Sequence, residues 1–293
     1  MHQDAQSYTE GKEIEQYIET ASPLPLFFSI FSRSTLCNSV RLGASLWLIL
    51  FSCSPEQKAK SPDPIYTLIF IDKTRSVNVD NAFVARKYGR AINKIINDNI
   101  HQQGDRLDVY FIHENTSKAR ALNVTVRSEM EDVSAASPTD REAAETEFAL
   151  LLNREKASIR KRVLQQLNAQ NTGLSNQRTD IWASLPVLEK ANERGMAVKV
   201  YYLSDMIESV PARTGAPDNR RDFQKTPPKS TNQADEWAKT DAKQLSRYAI
   251  GSPDIVMILP FAPNASAREN NPAVTQYWQT LFAELGAGNV EEE

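Results

Sequence analysis

Histidine and cysteine are scarce in this chain of 293 residues, which contains three histidines and two cysteines. The histidines, His2, His101 and His113, are far apart in the sequence, and the cysteines do not form a paired motif. Zinc in proteins is held by clusters of cysteine and histidine with short characteristic spacings. We therefore expect no zinc site of the usual ligand types.

Two catalytic signatures and one charge pattern are also missing. The sequence has neither a glycine-rich phosphate loop nor the G-x-S-x-G motif of a serine hydrolase. Its net charge of -3 gives no basic surface of the kind that binds nucleic acid, so no nucleic-acid partner is expected. With 41% hydrophobic and 24% charged residues, the composition is that of an ordinary globular protein.

The most informative stretch is an apolar run at residues 65–71, Ile-Tyr-Thr-Leu-Ile-Phe-Ile, which is followed at once by Asp72. A short apolar run without helical periodicity is typical of a strand buried on both faces in a parallel sheet. Ligands of open α/β sheets bind at the carboxyl ends of such strands. The polar residues that follow this run are therefore candidates for a binding site.

Three oxygen-bearing side chains alternate after the run, namely Asp72, Thr74 and Ser76. In a tight loop their oxygens can converge on one point, because every second side chain turns away. Carboxylates and hydroxyls are hard ligands that suit magnesium, calcium or manganese better than zinc.

The first 53 residues differ in character from the rest of the chain. Residues 42–52 form an apolar run of eleven residues behind Arg41, too short to span a bilayer but typical of a signal peptide. Residues 50–53, Leu-Phe-Ser-Cys, resemble the lipobox of bacterial lipoproteins, in which the cysteine is lipidated. The resemblance implies a translation start further along the chain and a lipid anchor at Cys53, which would hold the protein at the bacterial cell envelope, at the outer membrane where the host has one. The alternative is that the run is a core or interfacial segment.

Residues 54–64 contain three prolines among polar residues, and this composition indicates an extended linker. We therefore divide the chain into an N-terminal extension with a signal peptide at 1–53, the linker at 54–64, and a folded domain at 65–293. Within the domain, hydrophobic periodicity predicts strands at 65–71, 107–112, 122–126, 197–203 and 255–259 and helices at 79–100, 138–167, 179–195, 233–249 and 272–285. The alternation of strands and helices predicts an α/β fold, a doubly wound and mostly parallel sheet flanked by helices.

Two further polar residues are placed like the first three. Thr179 lies in a loop before a predicted helix, and the apolar strand at 197–203 ends on two polar residues, Ser204 and Asp205. An aspartate beside a buried strand is costly unless it has a partner. The alternative role for Thr179, and for Thr74 and Ser76, is to cap the N-terminus of a helix. Thr172 and Ser175 lie near Thr179 in the sequence and are substitutes for it as a ligand.

The motif Asp72-x-Thr74-x-Ser76, together with Thr179 and Asp205, resembles the metal-ion-dependent adhesion site of von Willebrand factor type A domains. The similarity in element order extends over about residues 65 to 288, although the long helix at 138–167 departs from the commoner pattern of that family. The resemblance implies a divalent cation, Mg²⁺ first and Ca²⁺ or Mn²⁺ as alternatives, bound by these five residues. It further implies a non-enzymatic adhesion or assembly module, in which an acidic side chain of a protein partner completes the coordination of the metal.

Two other functions remain open from the residues alone. Asp72-Lys-Thr74 is similar to the nucleophile motif of haloacid dehalogenase-like phosphatases, although a second acid is missing at position 74. The same fold could also serve as a metal-free structural module. The long loop predicted at 208–231 leaves the sheet beside Asp205 and is the candidate surface for a partner, and its charged residues are Glu208, Arg213, Asp218, Arg220, Arg221, Asp222, Lys225 and Lys229.

Overall fold

The computed structural model describes residues 62–113, 116–169, 177–210 and 220–293. The predicted signal peptide, the lipidation site Cys53 and most of the predicted linker lie outside these ranges, as do Thr172 and Ser175. No helix in the described ranges is both long enough and apolar enough to cross a membrane.

In the described residues, six strands form one sheet, and five α-helices connect and cover them. The strands are β1 (Ile65–Asp72), β2 (Arg106–Ile112), β3 (Arg120–Thr125), β4 (Ala197–Leu203), β5 (Asp254–Ile258) and β6 (Asn289–Glu292). The helices are α1 (Ala82–Asn99), α2 (Pro138–Asn168), α3 (Leu185–Asn192), α4 (Thr231–Leu245) and α5 (Pro272–Glu284), and two short 3₁₀ helices lie at Thr116–Lys118 and Trp182–Ser184. The predicted α/β fold is confirmed.

The strand order is β3-β2-β1-β4-β5-β6, and every neighbouring pair is parallel except β2 and β3. The chain therefore runs outward from β1 in one direction and later returns beside β1 to run outward in the other. This change of direction lies between β1 and β4, and a doubly wound sheet binds its ligands at the carboxyl ends of two such strands.

Alternate side chains of β1 enter two separate cores. Leu68 and Phe70 pack on one face of the sheet with residues of α3, α4 and α5. Ile69 and Ile71 pack on the other face with residues of α1 and α2. All four side chains are fully buried, which explains the unbroken apolar run that marks this strand in the sequence.

Three sequence predictions need correction. The helix predicted at 179–195 begins later, as a 3₁₀ turn at 182–184 followed by α3, and Glu208 Oε2 accepts the amides of Ile181 and Trp182 at the start of that turn. In the predicted helix at 138–167 the sequence places Leu151 on the apolar side with Leu152, Ile159 and Val163, but in the structure Leu151 is 41% exposed. The edge strand β6 is absent from the prediction because its sequence, Asn-Val-Glu-Glu, has no strand-like apolar pattern.

Candidate metal centre

The site lies where β1 and β4 end side by side. The parallel register pairs Ile71 with Leu203, so the next residues, Asp72 and Ser204, are neighbours across the two strands. Both side chains are fully buried, and the Ser204 hydroxyl donates a hydrogen bond of 2.7 Å to Asp72 Oδ2. The sequence marked Asp72 as a candidate but not Ser204.

Asp72 also holds the loop that follows β1. Its Oδ1 accepts two hydrogen bonds from Thr74, one from the main-chain N–H at 2.9 Å and one from the hydroxyl at 2.6 Å. The two bonds close a tight turn around the carboxylate. The predicted convergence of alternate side chains in this loop is therefore present in the structure.

The hydroxyls of three residues form a chain beside this carboxylate. Thr74 Oγ1 lies 3.1 Å from Ser76 Oγ, and the Thr179 hydroxyl donates to Thr74 Oγ1 at 3.4 Å. Thr179 is 2% exposed, and it does not cap a helix; Asp180 accepts the amide of Ala183 instead. This geometry favours the site interpretation of Thr179 over the capping one.

Asp205 completes the cluster from the end of β4. Its carboxylate accepts hydrogen bonds from the Ser76 hydroxyl and, at 3.0 Å, from the Ile207 amide. The next residue, Met206, has a φ of 60°, a conformation that is strained for a side chain other than glycine. Hydrogen bonds at both sides hold this turn: the Met206 amide donates to Ser204 Oγ at 3.0 Å, and Trp278 Nε1 donates to the Met206 carbonyl at 2.7 Å.

The cluster contains two buried acids that have no basic partner among the described residues. Burial, assisted by the nearby charge of Asp205, raises the pKa of Asp72 to about 7. Burial also raises the pKa of Asp205. Among the described residues, no lysine or arginine forms an ion pair with either carboxylate; the Lys73 ammonium instead bonds to the Ala169 carbonyl and lies over the Phe111 ring.

The donor set fits a hard divalent cation. Two carboxylates offset its charge, and three hydroxyls add neutral oxygens, which is the chemistry that magnesium and calcium prefer. The part of the chain that the structure describes contains no group of three or more His, Cys, Asp and Glu side chains suited to a metal. A cation here would therefore depend on the hydroxyls of Thr74, Ser76 and Thr179 as well as on the two acids.

Positioning residues outside the predicted set connect the loops of the site. Ser209 Oγ accepts the Thr179 amide at 2.7 Å, and Glu208 Oε2 accepts the Ile181 amide at 2.7 Å. No sequence pattern marks Glu208 or Ser209, because their roles depend on the approach of two loops. His113 follows β2 at this same edge of the sheet and is buried, although the sequence separates it from the motif.

A cavity of about 740 Å³ opens over the cluster. Thr74, Ser76, Thr179 and Asp205 line it, whereas Asp72 lies beneath them. The facing walls come from the chain between β4 and α4, from the segment between β5 and α5 and from the first turn of α5, and they include Phe223, Phe261 and Val274. Arg75, Arg268 and Glu269 add charged side chains to the lining. The lining is partly apolar and carries charges of both signs, and its two arginines could pair with an acidic group that approaches the four lining oxygens.

The charged loop predicted as a partner surface is largely tied to the domain itself. Arg220 Nη1 lies 2.5 Å from Asp180 and 3.8 Å from the buried carboxylate of Glu208. Arg221 makes two hydrogen bonds to the buried carboxylate of Asp241. These contacts make Arg220 and Arg221 structural residues rather than free surface charges; the segment 211–219, with Arg213 and Asp218, lies outside the described residues.

No protein-family model and no curated protein sequence matches this chain. Solved structures with a similar chain path include proximal thread matrix protein 1 from the mussel byssus, with 12% identity over 79% of this chain and 43% of that one, at a TM-score of 0.33. Others are a von Willebrand factor type A protein from Catenulispora acidiphila (10% identity, 76% of this chain, 41% of that one, TM-score 0.31) and the adhesive tip pilin GBS104 from Group B Streptococcus agalactiae (10%, 78%, 96%, 0.36). The chain spans less than half the length of the first two. Similarities this weak do not indicate a function, and only the contacts within the site bear on it.

Proposed function

We propose that this domain is a metal-dependent protein-binding module of the von Willebrand factor type A kind. The observation that carries the proposal is the convergence of Asp72 and Asp205, two buried acids without a basic partner in the described residues, with three hydroxyls at the end of β1 and β4. A buried acid that lacks a partner is costly for the fold. A bound cation would neutralise the two buried charges, and the five side-chain oxygens would coordinate it.

Asp72, Thr74, Ser76, Thr179 and Asp205 would hold the cation, with Mg²⁺ as the first candidate and Ca²⁺ or Mn²⁺ as alternatives. When bound, Mg²⁺ supplies a positive centre that takes six oxygen ligands and keeps water where protein ligands are missing. The protein supplies at most five of these six ligands, so at least one position is open to an outside oxygen such as that of a carboxylate. The partner is therefore proposed to be a protein that presents an acidic side chain to the cavity.

The contacts of Asp72 favour binding over catalysis. Both of its carboxylate oxygens already accept hydrogen bonds, Oδ1 from Thr74 and Oδ2 from Ser204, and the side chain is fully buried. Haloacid dehalogenase-like phosphatases place a second acid two residues after the nucleophile, and here that position holds Thr74, whose hydroxyl donates to Asp72. These contacts therefore weigh against the haloacid dehalogenase-like alternative, and we propose that the domain is not an enzyme.

We further propose that Cys53 carries a lipid that anchors the domain to a bacterial envelope membrane. The support is the sequence resemblance of residues 50–53 to a lipobox behind a short apolar run. The expected mature chain begins at Cys53 and carries the mass of an attached lipid. Mass spectrometry of the N-terminus tests this, and an unprocessed chain in the soluble fraction would contradict it.

A pull-down from the envelope of the source organism, with and without chelator, tests the metal-dependent partner. The captured partner is then titrated against the wild type and against Asp205→Ala, each with Mg²⁺ and with chelator. Because the metal and Asp205 belong to one site in this proposal, either change should weaken binding and both together should do little more. Fully additive losses would separate the metal from Asp205.

Asp254→Ala is the matched control, because Asp254 is an exposed aspartate at the opposite end of the neighbouring strand β5. This variant should bind the partner like the wild type and should keep its response to chelator. Binding that survives the chelator unchanged in all variants would leave the metal-free structural module as the better description. Phosphate release from a generic phosphatase substrate, abolished by Asp72→Asn, would favour the enzyme.

A further inference from the structure

Helix α2 has a long face that the described domain does not cover. Of its 31 residues only Leu152, Ile159, Val163 and Leu167 are buried. These four lie on one side of the helix, in its middle and its C-terminal half. Leu150 is 55% exposed. The helix is therefore held by one face, and the opposite face is available for contact.

A regular stripe runs along the uncovered side of the helix as far as Leu164, which also packs against the core. Ala143, Leu150, Ala157 and Leu164 follow one another at intervals of seven residues, so they lie above one another along the helix. Ala143, Leu150 and Ala157 are exposed and Leu164 is half-buried. Two shallow grooves lie end to end on this stripe, one around Leu150 and the other around Leu164. One apolar side chain every seven residues on an exposed helix face forms a line along which a second helix can pack.

The stripe alternates between a small and a large side chain, and this alternation selects an orientation. If a second copy of α2 lies antiparallel, with the two-fold axis near residue 153, Leu150 meets Ala157 and Ala143 meets Leu164. Each leucine then fills the space that an alanine leaves, which is the packing that close helices require. In a parallel pair in register, leucine would meet leucine and alanine would meet alanine.

The charges of α2 select the same orientation. Residues 139–153 contain four acidic residues and one basic residue, whereas residues 154–168 contain five basic residues and one acidic residue. A parallel pair would place like charges together. An antiparallel pair brings the acidic half of one helix against the basic half of the other, and Glu147 then lies near Lys161 of the second copy.

We propose that α2 is a homodimer interface, in which two copies of this chain pair their α2 helices in antiparallel orientation. The contact is isologous, as in most symmetric dimers, because each copy supplies the same residues to it. The dimer would present two metal-dependent binding sites, one on each domain. Two linked sites bind a multivalent partner more tightly than one site does.

The first test measures the mass of the full chain by light scattering and sedimentation at tens of micromolar. The wild type should have the mass of two chains, and Leu150→Glu should dissociate it, with a dissociation constant raised at least about tenfold. Because Leu150 is exposed, Leu150→Glu should not disturb the fold of the domain, and the variant should melt in a single transition as a folded monomer. A monomeric wild type, or a Leu150→Glu variant that stays dimeric, would overturn the proposal.

The second test exchanges charges across the interface. Glu147→Lys and Lys161→Glu should each weaken the dimer, and the double variant should restore it, because it exchanges the two signs. Glu145→Lys is the matched control: it makes the same charge change on the same turn but on the other side of the helix, and it should leave the dimer unchanged. Failure of the double variant to recover would overturn the antiparallel pairing.

The third test measures orientation directly by disulfide trapping in a full chain whose Cys37 and Cys53 are replaced by serine. Chains with Ala143→Cys and chains with Leu164→Cys are purified separately and mixed under mild oxidation. The antiparallel interface should give a mixed disulfide dimer and little linkage of either variant alone. Linkage of Ala143→Cys to itself would show a parallel pair and overturn the assignment.

Discussion

Thr179 and Ser209 hold each other by two hydrogen bonds. The Thr179 amide donates to Ser209 Oγ at 2.7 Å, and the Ser209 amide donates to the Thr179 carbonyl at 3.0 Å. Thr179 is a candidate metal ligand, and Ser209 lies four residues after Asp205, another candidate ligand. The pair therefore joins two of the three loops that form the site, and it fixes the Thr179 hydroxyl relative to the end of β4.

Ser209→Ala should weaken metal binding more than it weakens the fold. The variant loses one of the two hydrogen bonds, worth about 1 kcal/mol, and so loosens the loop that carries Thr179, although the Ser209 amide still donates to the Thr179 carbonyl. We expect a smaller rise in melting temperature on Mg²⁺ addition than the wild type shows. The control is Ser230→Ala, which removes a comparable bond to a main-chain amide at the N-cap of α4; it should lower stability but keep the full Mg²⁺ response.

Asp72→Asn should be at least as stable as the wild type without metal and less stable than the wild type with metal. Asparagine keeps the size of the side chain and removes a buried charge, so in chelator at about pH 8 the variant should be as stable as the wild type or more stable, by on the order of 1–3 kcal/mol. With Mg²⁺ at about a hundred times its dissociation constant, the wild type should gain about 2.7 kcal/mol by mass action. The variant should gain little.

Calorimetric melting of both proteins in chelator and in Mg²⁺ provides the measurement. Asp254→Asn is the control, since this aspartate is exposed at the other end of the sheet, and its melting temperature should follow the wild type in both conditions. If Asp72→Asn and the wild type gained the same stability from Mg²⁺, the assignment of Asp72 as a ligand would be wrong.

The sequence predicted those parts of the fold and site that depend on local pattern. The apolar run of β4 and its bounds were predicted correctly, and the position of Asp72 and Asp205 after two such runs followed from it. Strand β6 could not be predicted, because it is defined by pairing with β5, in which Ile255 lies opposite Val290, and not by a pattern of its own. Its four residues would suit a loop equally well.

The predicted site was incomplete for a similar reason. Ser204 was visible as a polar residue after a strand, but its bond to Asp72 depends on the register between β1 and β4. Glu208 and Ser209 act on a segment about thirty residues earlier in the chain. Such residues have ordinary types in ordinary positions, and only the folded loops bring them together.

Arg221→Ala should destabilise the domain without a direct effect on the metal site. The Arg221 guanidinium makes hydrogen bonds of 2.8 and 3.1 Å to the buried carboxylate of Asp241, which also accepts a bond from the Tyr277 hydroxyl. Removal of one member of a buried ion pair leaves the other charge uncompensated, at a cost of about 3–5 kcal/mol. Chemical denaturation measures the loss.

Lys225→Ala is the matched control in the same loop. Lys225 is 75% exposed and pairs with Asp222 at the surface, so its removal should change the free energy of unfolding by less than about 1 kcal/mol. A small loss for both variants would mean that Arg221 does not hold the loop against α4. Partner binding by Arg221→Ala, measured below its melting temperature, should stay close to that of the wild type.

Glu208 should make the stability of the domain depend on pH. Burial, together with the nearby charge of Asp180, raises the pKa of Glu208 well above its usual value, although Arg220 and the Ile181 and Trp182 amides act in the opposite direction. Burial is the largest cause of the raised pKa of Tyr277, and the charge of Glu208 also raises it. The protonated form of Glu208 is therefore favoured by folding.

A folded pKa above the unfolded one means that this contribution is complete below about pH 4.3, the unfolded value of glutamate. It is lost as the pH rises through the folded pKa, because the folded state must then bury an ionised carboxylate. Glu208→Gln cannot ionise and keeps an oxygen to accept the Ile181 amide. Its melting temperature relative to the wild type should therefore rise steadily as the pH is raised from about 4 to about 8. Parallel curves for the two proteins over this range would show that Arg220 and the two amides fully compensate for the burial of Glu208.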